Sequence, residues 1–169
     1  MTPPPIAPHH PPAAAALRKA RFWNRTARRY ARDAIADPAG YEKTLQRVIG
    51  LLSPGHRVLE IGCGTGATAL RLAPHVRRLL ATDVSPEMIA IAHERLQAQP
   101  MPQLSFAVAD ADLVWLGVAV HDRVLAFNLL HLVDDLDGTL AAAAQALRPG
   151  GLLISKTPCL AEMNPLITR

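Results

Sequence analysis

The sequence predicts an α/β domain, a doubly wound Rossmann-like parallel sheet preceded by a helical segment. Three observations predict it. Five short apolar runs, at 57–62, 79–84, 104–109, 123–128 and 151–156, carry the composition of buried strands. Helix-forming stretches at about 66–75, 86–98 and 135–147 separate them, and this alternation implies right-handed crossovers in one parallel sheet. The first run, Arg57 to Ile61, feeds straight into Gly62, Gly64 and Gly66. Glycines at alternate positions let the backbone bend sharply and let a ligand lie against the main chain.

The totals bound the answer. A chain of 169 residues is one domain's worth, long enough for a substantial core. No apolar run reaches the length that crosses a bilayer, and the first residues lack the order of a secretory signal. Two cysteines, Cys63 and Cys159, make neither a disulfide framework nor a metal site, so a cytoplasmic setting is expected. The net charge of +4 is uneven. Residues 1–57 hold ten Lys/Arg against three Asp/Glu, and residues 58–169 hold eight against eleven. The basic front is compatible with nucleic acid or anionic lipid, or with a simply solvated helix face.

Residues 1–12 are dominated by proline and are expected to be disordered. Residues 13–55 are read as a helical segment. A first helix is predicted from about 13 to 37, with Phe22, Thr26, Arg29 and Tyr30 at helical spacing and five further arginines on the rest of its surface. Pro38-Ala39-Gly40 is expected to break it. A second helix, about 41–52, sets Leu45, Val48, Ile49 and Leu52 on one side. Residues 56–169 form the sheet domain. Within it Ser85-Pro86-Glu87 reads as a helix start, with an N-cap serine, a proline at the first position and an acid in the first turn. A turn is expected near 111–116, and Pro149-Gly150-Gly151 ends the last helix.

Ligands of such sheets bind beyond the carboxyl ends of the strands, so the residues there carry the function. The first strand ends in Glu60 and the glycine loop. The second ends in Asp83, seventeen residues after Gly66, where an acid accepts from both ribose hydroxyls of a nucleoside. The third ends in Asp110-Ala111-Asp112, a carboxylate and a backbone N–H that match the edge of adenine. The fourth ends in Asn128, with His131 close behind. His131 is the titratable candidate for proton transfer, against the plainer role of a helix-packing or capping histidine. His121 and His75 are read as surface residues.

In this order, Val58 to Gly66, Asp83, Asp110-Ala111, Asn128 and Leu147-Arg148-Pro149-Gly150-Gly151 resemble the motifs of class I S-adenosylmethionine-dependent methyltransferases. The nearest group is the small-molecule branch that includes ubiquinone/menaquinone C-methyltransferase-like enzymes. The resemblance runs from about Phe22 to Pro158. It implies a sheet of strand order 3-2-1-4-5, S-adenosylmethionine as cofactor and a small-molecule acceptor. Gly62, Gly64 and Gly66 would lie against the methionine part, which Glu60 orients. Asp83 would hold the ribose, Val84 and Met88 would flank the adenine, and Asp110 and Ala111 would read its edge. The main chain at Asn128 would face the methionyl end. Phe22, Trp23 and Tyr30 resemble the family's N-terminal lid over cofactor and substrate, the alternative being aromatics that pack a helix onto the sheet.

An NAD(P)-dependent oxidoreductase is the rival, because Gly62 to Ala67 also fits G-x-G-x-x-A and Asp83 fits its ribose acid. Glu60 and Asp110-Ala111 argue against it. A P-loop is excluded, since no Gly-Lys-Ser/Thr follows the loop. Asn128-Leu129-Leu130-His131 is not the Asn/Asp-Pro-Pro-Tyr of base-modifying methyltransferases, so no specific nucleic-acid substrate is expected. Family members continue past the fifth strand with a helix and a hairpin. Here Leu152-Leu153-Ile154 is expected on an unpaired sheet edge. Three readings stay open: a fragment, an edge covered by a second copy or a partner, or a cofactor-binding module with little turnover.

Overall fold

In the computed structural model, residues 14–111 and 118–158 are described. The proline-rich stretch, all but the first residue of the turn expected near 111–116, Asp112 and Cys159 lie outside them. The chain runs α1 (Ala14–Tyr30), α2 (Pro38–Ile49), β1 (Arg57–Ile61), α3 (Ala67–Leu72), a 3-10 turn over Ala73–His75, β2 (Arg78–Asp83) and α4 (Pro86–Ala98). It continues through β3 (Leu104–Val108), β4 (His121–Phe127), α5 (Leu136–Ala146) and β5 (Leu147–Lys156). The five strands form one sheet ordered β3-β2-β1-β4-β5, parallel throughout, as the sequence predicts.

Alternation along the strands divides the core in two. Val58, Leu79, Ala81, Leu104, Phe106 and Leu125 pack with Leu45, Val48, Leu72 and Ile89 from α2, α3 and α4. Leu59, Ile61, Val124 and Ala126 face the other way, onto Ala143 and Ala146 of α5. A one-residue register slip would turn every one of these side chains to the wrong face. The pairing of Ile61 with both Thr82 and Ala126 brings the carboxyl ends of β1, β2 and β4 to one level.

Several local expectations need correction. Pro38 opens α2 rather than ending the first helix, which has already stopped at Tyr30. Asp37 caps that helix by accepting from the Gly40 N–H at 2.9 Å, and proline suits a first turn whose N–H has no intrahelical partner. Helix α1 ends at Tyr30, short of Asp37, and it does not bury the stripe marked by Phe22, Arg29 and Tyr30, which are exposed. Its buried residues are Ala16 and Ala27, and Ala27 packs against Met88 and Ile91 of α4 with Trp23 and Ala31 alongside. Small residues let the two helices approach closely, so the large ones are left outside. Strand β5 begins at Leu147, four residues before the predicted start, because a bulge between His121 and Arg123 lets Leu147 pair with His121 ahead of the proline. His121 is accordingly buried and not a surface residue. Leu152 is exposed on β5, an outer strand of the sheet, whereas Leu153 and Ile154 are half-buried.

The start of α4 follows the sequence reading. Ser85 Oγ accepts from the Met88 N–H at 3.1 Å, and Asn24 of α1 lies 2.6 Å from the same hydroxyl. Helix α1 is thus tied to the cap of α4, and Arg28 grips Glu94 through two contacts of 2.9 and 2.8 Å further along.

Gly66 tests the packing of the first turn. It has φ +75°, and a Cβ there would lie 2.6 Å from the Phe106 ring and 3.0 Å from Ala92. Gly66→Ala combines left-handed strain with overpacking and is expected to cost about 3 kcal/mol in urea unfolding. Gly150→Ala has φ +78° but open space around it, so strain alone applies and the cost is about 1 kcal/mol. Equal losses at the two sites would refute this account of the turn.

Candidate active site

The carboxyl ends of β1, β2, β3 and β4 open into one cavity of about 610 Å³, walled on the far side by α1 and the segment after it. The glycine loop contributes Gly62, Cys63, Gly64 and Thr65, with Glu60 beneath. Asp83, Val84 and Met88 come from the β2–α4 junction, Asp110 and Ala111 from beyond β3, and Asn128 from the end of β4. Trp23 and Tyr30 face in from α1. Eleven of the fourteen residues singled out from the sequence therefore meet at one place.

Three do not line it. Gly66 sits behind the loop, where its missing side chain makes room for Phe106 and Ala92 rather than for a ligand. His131 is exposed and does not line the cavity. Phe22 lies on the outer side of α1, edge-on to Trp23 with ring centroids 5.1 Å apart.

Asp83 is committed to the backbone. Its Oδ2 accepts from the Gly64 N–H and its Oδ1 from the Ser85 N–H, both at 2.9 Å. One carboxylate thus joins the glycine loop to the turn that opens α4. Each oxygen keeps a second lone pair, so the group can still accept from a ligand. Burial pushes its pKa up, the two N–H donors oppose this, and the neighbouring Asp110 adds to the rise.

Glu60 is the most unusual group in the site. It is only 2% exposed, and its Oε2 has no hydrogen-bond partner among the described residues. Burial, and secondarily the charge on Asp83, push its pKa up to about 8. A carboxyl in that state is largely protonated at neutral pH. Cys63 is pushed up as well, chiefly by burial, so its thiol stays protonated and is no nucleophile.

Gly64 supplies the space. At φ +54° its Cβ would point into the cavity, where the nearest heavy atom is Tyr30 Cε1 at 3.9 Å. The loop is held from behind by Arg95, which donates to Thr65 O at 3.1 Å, Thr65 Oγ1 at 2.7 Å and Ala31 O at 3.2 Å. Asn128 closes β4 at φ +52°, a conformation asparagine tolerates better than most residues.

Sequence reasoning missed Lys19, Tyr41 and Arg95. Lys19 Nζ lies 3.3 Å from Asp110 Oδ1 and 3.4 Å from Asp134 Oδ2, bridging the two sides of the mouth. Its signal was present, since Lys19, Trp23 and Tyr30 share one helical stripe and all three line the cavity. Tyr41 lies 3.2 Å from Thr68 Oγ1, and that contact depends on how α2 docks on α3.

The buried Glu60 gives a direct test. Because its folded pKa exceeds the ordinary carboxylate value, the native state keeps a proton that the unfolded state has already released. Stability must therefore fall as pH rises from about 4.5 towards 8. Glu60→Gln removes that ionisation. Urea midpoints across this range should decline more steeply for the wild type, with a difference of a few kcal/mol accumulating at about 1.4 kcal/mol per unit. Parallel profiles would show that Glu60 ionises freely.

The Methyltransferase domain family matches residues 58–151, from β1 into β5, a span that takes in Glu60, the glycine loop, Asp83, Asp110 and Asn128. The demethylmenaquinone methyltransferase of Tropheryma whipplei is 28% identical over 138 residues, covering 79% of this chain and 56% of that protein. The O-methyltransferase cnsE of Penicillium expansum is 30% identical over 159 residues, covering 88% and 54%. Among solved structures, an S-adenosylmethionine-dependent methyltransferase from Mesorhizobium loti matches with a TM-score of 0.63 and 28% identity, over 72% of this chain and 55% of that one. The chain spans about half the length of these curated relatives. With its sheet order, its glycine loop and the match across both, the chain belongs to the class I S-adenosylmethionine-dependent methyltransferases, through their Methyltransferase domain.

Proposed function

We propose that this chain binds S-adenosylmethionine in the cavity at the strand ends and transfers its methyl group to a small, apolar or aromatic acceptor. One observation carries the reading: acids from the ends of three neighbouring strands, Glu60, Asp83 and Asp110, converge with the glycine loop on a single cavity. The fit of the residues to the cofactor supports it. Gly64 leaves open the space a side chain would fill, and Glu60 presents a buried, unpartnered oxygen suited to an ammonium group. Asp83 would take the ribose hydroxyls on its remaining lone pairs, Val84 and Met88 would flank the adenine, and Asp110 with Ala111 would read its edge.

When bound, S-adenosylmethionine supplies an electrophilic methyl on a sulfonium. The chain's own residues would then hold and orient. A nucleophile kept in line at about 3 Å gains most of its acceleration from positioning, and needs a base only if it carries a proton that must leave. Trp23, Tyr30, Phe127 and Leu129 give the rest of the cavity an aromatic and aliphatic wall that suits an apolar acceptor and sheds water. In this reading residues 13–55 act as the lid, and Lys19 clasps it to Asp110 and Asp134. The proposed setting is the cytoplasm, in keeping with the free, buried Cys63 of the loop. The proposal includes cover of the outer edge of β5 by a second copy or a partner chain.

Titration calorimetry with S-adenosylhomocysteine, against NAD, decides the cofactor. Binding of the former alone is expected, and binding of NAD alone would end the proposal. At pH 6.5 the wild type should release up to about one proton on binding, as the ammonium draws Glu60 into its charged form, and Glu60→Gln should release none. Equal release by both proteins would remove Glu60 from the cofactor's ammonium.

A further inference from the structure

Helix α1 divides its surface three ways. One side, with Asn24 and Ala27, is used against α4. A second, with Lys19, Trp23 and Tyr30, lines the cavity. The third carries Arg18, Arg21, Arg25 and Arg29 around Phe22, all of them exposed. Phe22 keeps 59% of its surface, an unusual exposure for an aromatic beside a cavity. Arg18, Arg21, Phe22 and Arg25 together line a shallow groove of their own.

None of these four arginines has an acidic partner among the described residues. Arg28, on another side of the helix, does, and it is paired with Glu94. The unpaired arginines are therefore not consumed by the fold. Nor is the groove isolated from the cavity. Phe22 stacks edge-on against Trp23 at 5.1 Å, and Trp23 against Tyr30 at 6.4 Å, so an aromatic run leads from the arginines to the cavity. Tyr30 is 53% exposed and Ile35, on the segment that follows, 50%, so the α1 side of the mouth is rimmed by large apolar groups.

From this arrangement we propose that the outer face of α1 docks on an anionic lipid surface, with the arginines among the headgroups, Phe22, Tyr30 and Ile35 at the acyl boundary, and the cavity mouth facing the lipid. A basic helix face flanked by aromatic and aliphatic residues is the composition that binds such an interface. Free nucleic acid matches the arginines but offers nothing to Ile35. An acidic protein matches the charge but gives no reason for an apolar rim continuous with the cavity. Docking stands on this surface alone. Its use, to admit a lipid-dissolved acceptor, rests on the methyl-transfer reading.

The test is co-sedimentation of the whole chain with vesicles of phosphatidylcholine, or of phosphatidylcholine containing about a third phosphatidylglycerol. Binding to the anionic vesicles alone is expected, weakening as salt is raised. Changing Arg18→Ala, Arg21→Ala and Arg25→Ala together should weaken it on the order of a hundredfold, at about a factor of five for each arginine. The affinity for S-adenosylhomocysteine should be unchanged in that variant, which also reports that it is folded. Equal binding to both vesicles, undiminished binding by the folded variant, or a homopolymeric RNA that displaces the vesicles at the same salt would each overturn the proposal. If vesicles bind but S-adenosylhomocysteine does not, docking stands and the methyl-transfer reading falls.

Discussion

The two hydrogen bonds that Asp83 accepts hold the site together. A buried carboxylate at the end of β2 takes the N–H of Gly64 on one oxygen and that of Ser85 on the other. The first fixes the glycine loop and the second fixes the turn whose Ser85 hydroxyl caps α4. Removing the carboxylate would leave two backbone donors unsatisfied inside the protein, a heavier loss than one surface contact. Loop, strand end and helix start are therefore one unit. The same acid that faces the cavity sets the cavity's shape.

That unit accumulates negative charge. Glu60, Asp83 and Asp110 share one partly desolvated space, and burial alone would keep Glu60 largely neutral. Lys19 offsets the charge at the Asp110 end, whereas Glu60 Oε2 has no hydrogen-bond partner among the described residues. A fold free to maximise its stability would place an apolar residue at that point of β1. Keeping a carboxyl there is the kind of local inconsistency that marks a functional position.

Helix α1 shows how one segment answers several demands. Alanines hold it against α4, where Asn24 and Arg28 add specific contacts. With its small residues spent on packing, its large ones are free to wall the cavity or to face outward. Arg95 ties the helix's C-terminal end to the glycine loop through Ala31 and Thr65, so a movement of α1 would be felt at the loop.

The sequence by itself determined the alternation of strands and helices, the start of α4 and most of the strand-end residues, because those depend on short-range patterns: apolar runs, glycine spacing and a capping serine. It misjudged α1, where alanines carry no visible periodicity beside aromatics and arginines, and it misjudged Pro38, whose role turns on the capping residue before it. Only the tertiary structure decided that Glu60 Oε2 finds no hydrogen-bond partner among the described residues, that Gly66 serves Phe106, that His131 stays outside and that Lys19 reaches Asp110. Each of those facts depends on what another element brings across from tens of residues away, and burial, charge and reach are properties of that meeting rather than of the residue itself.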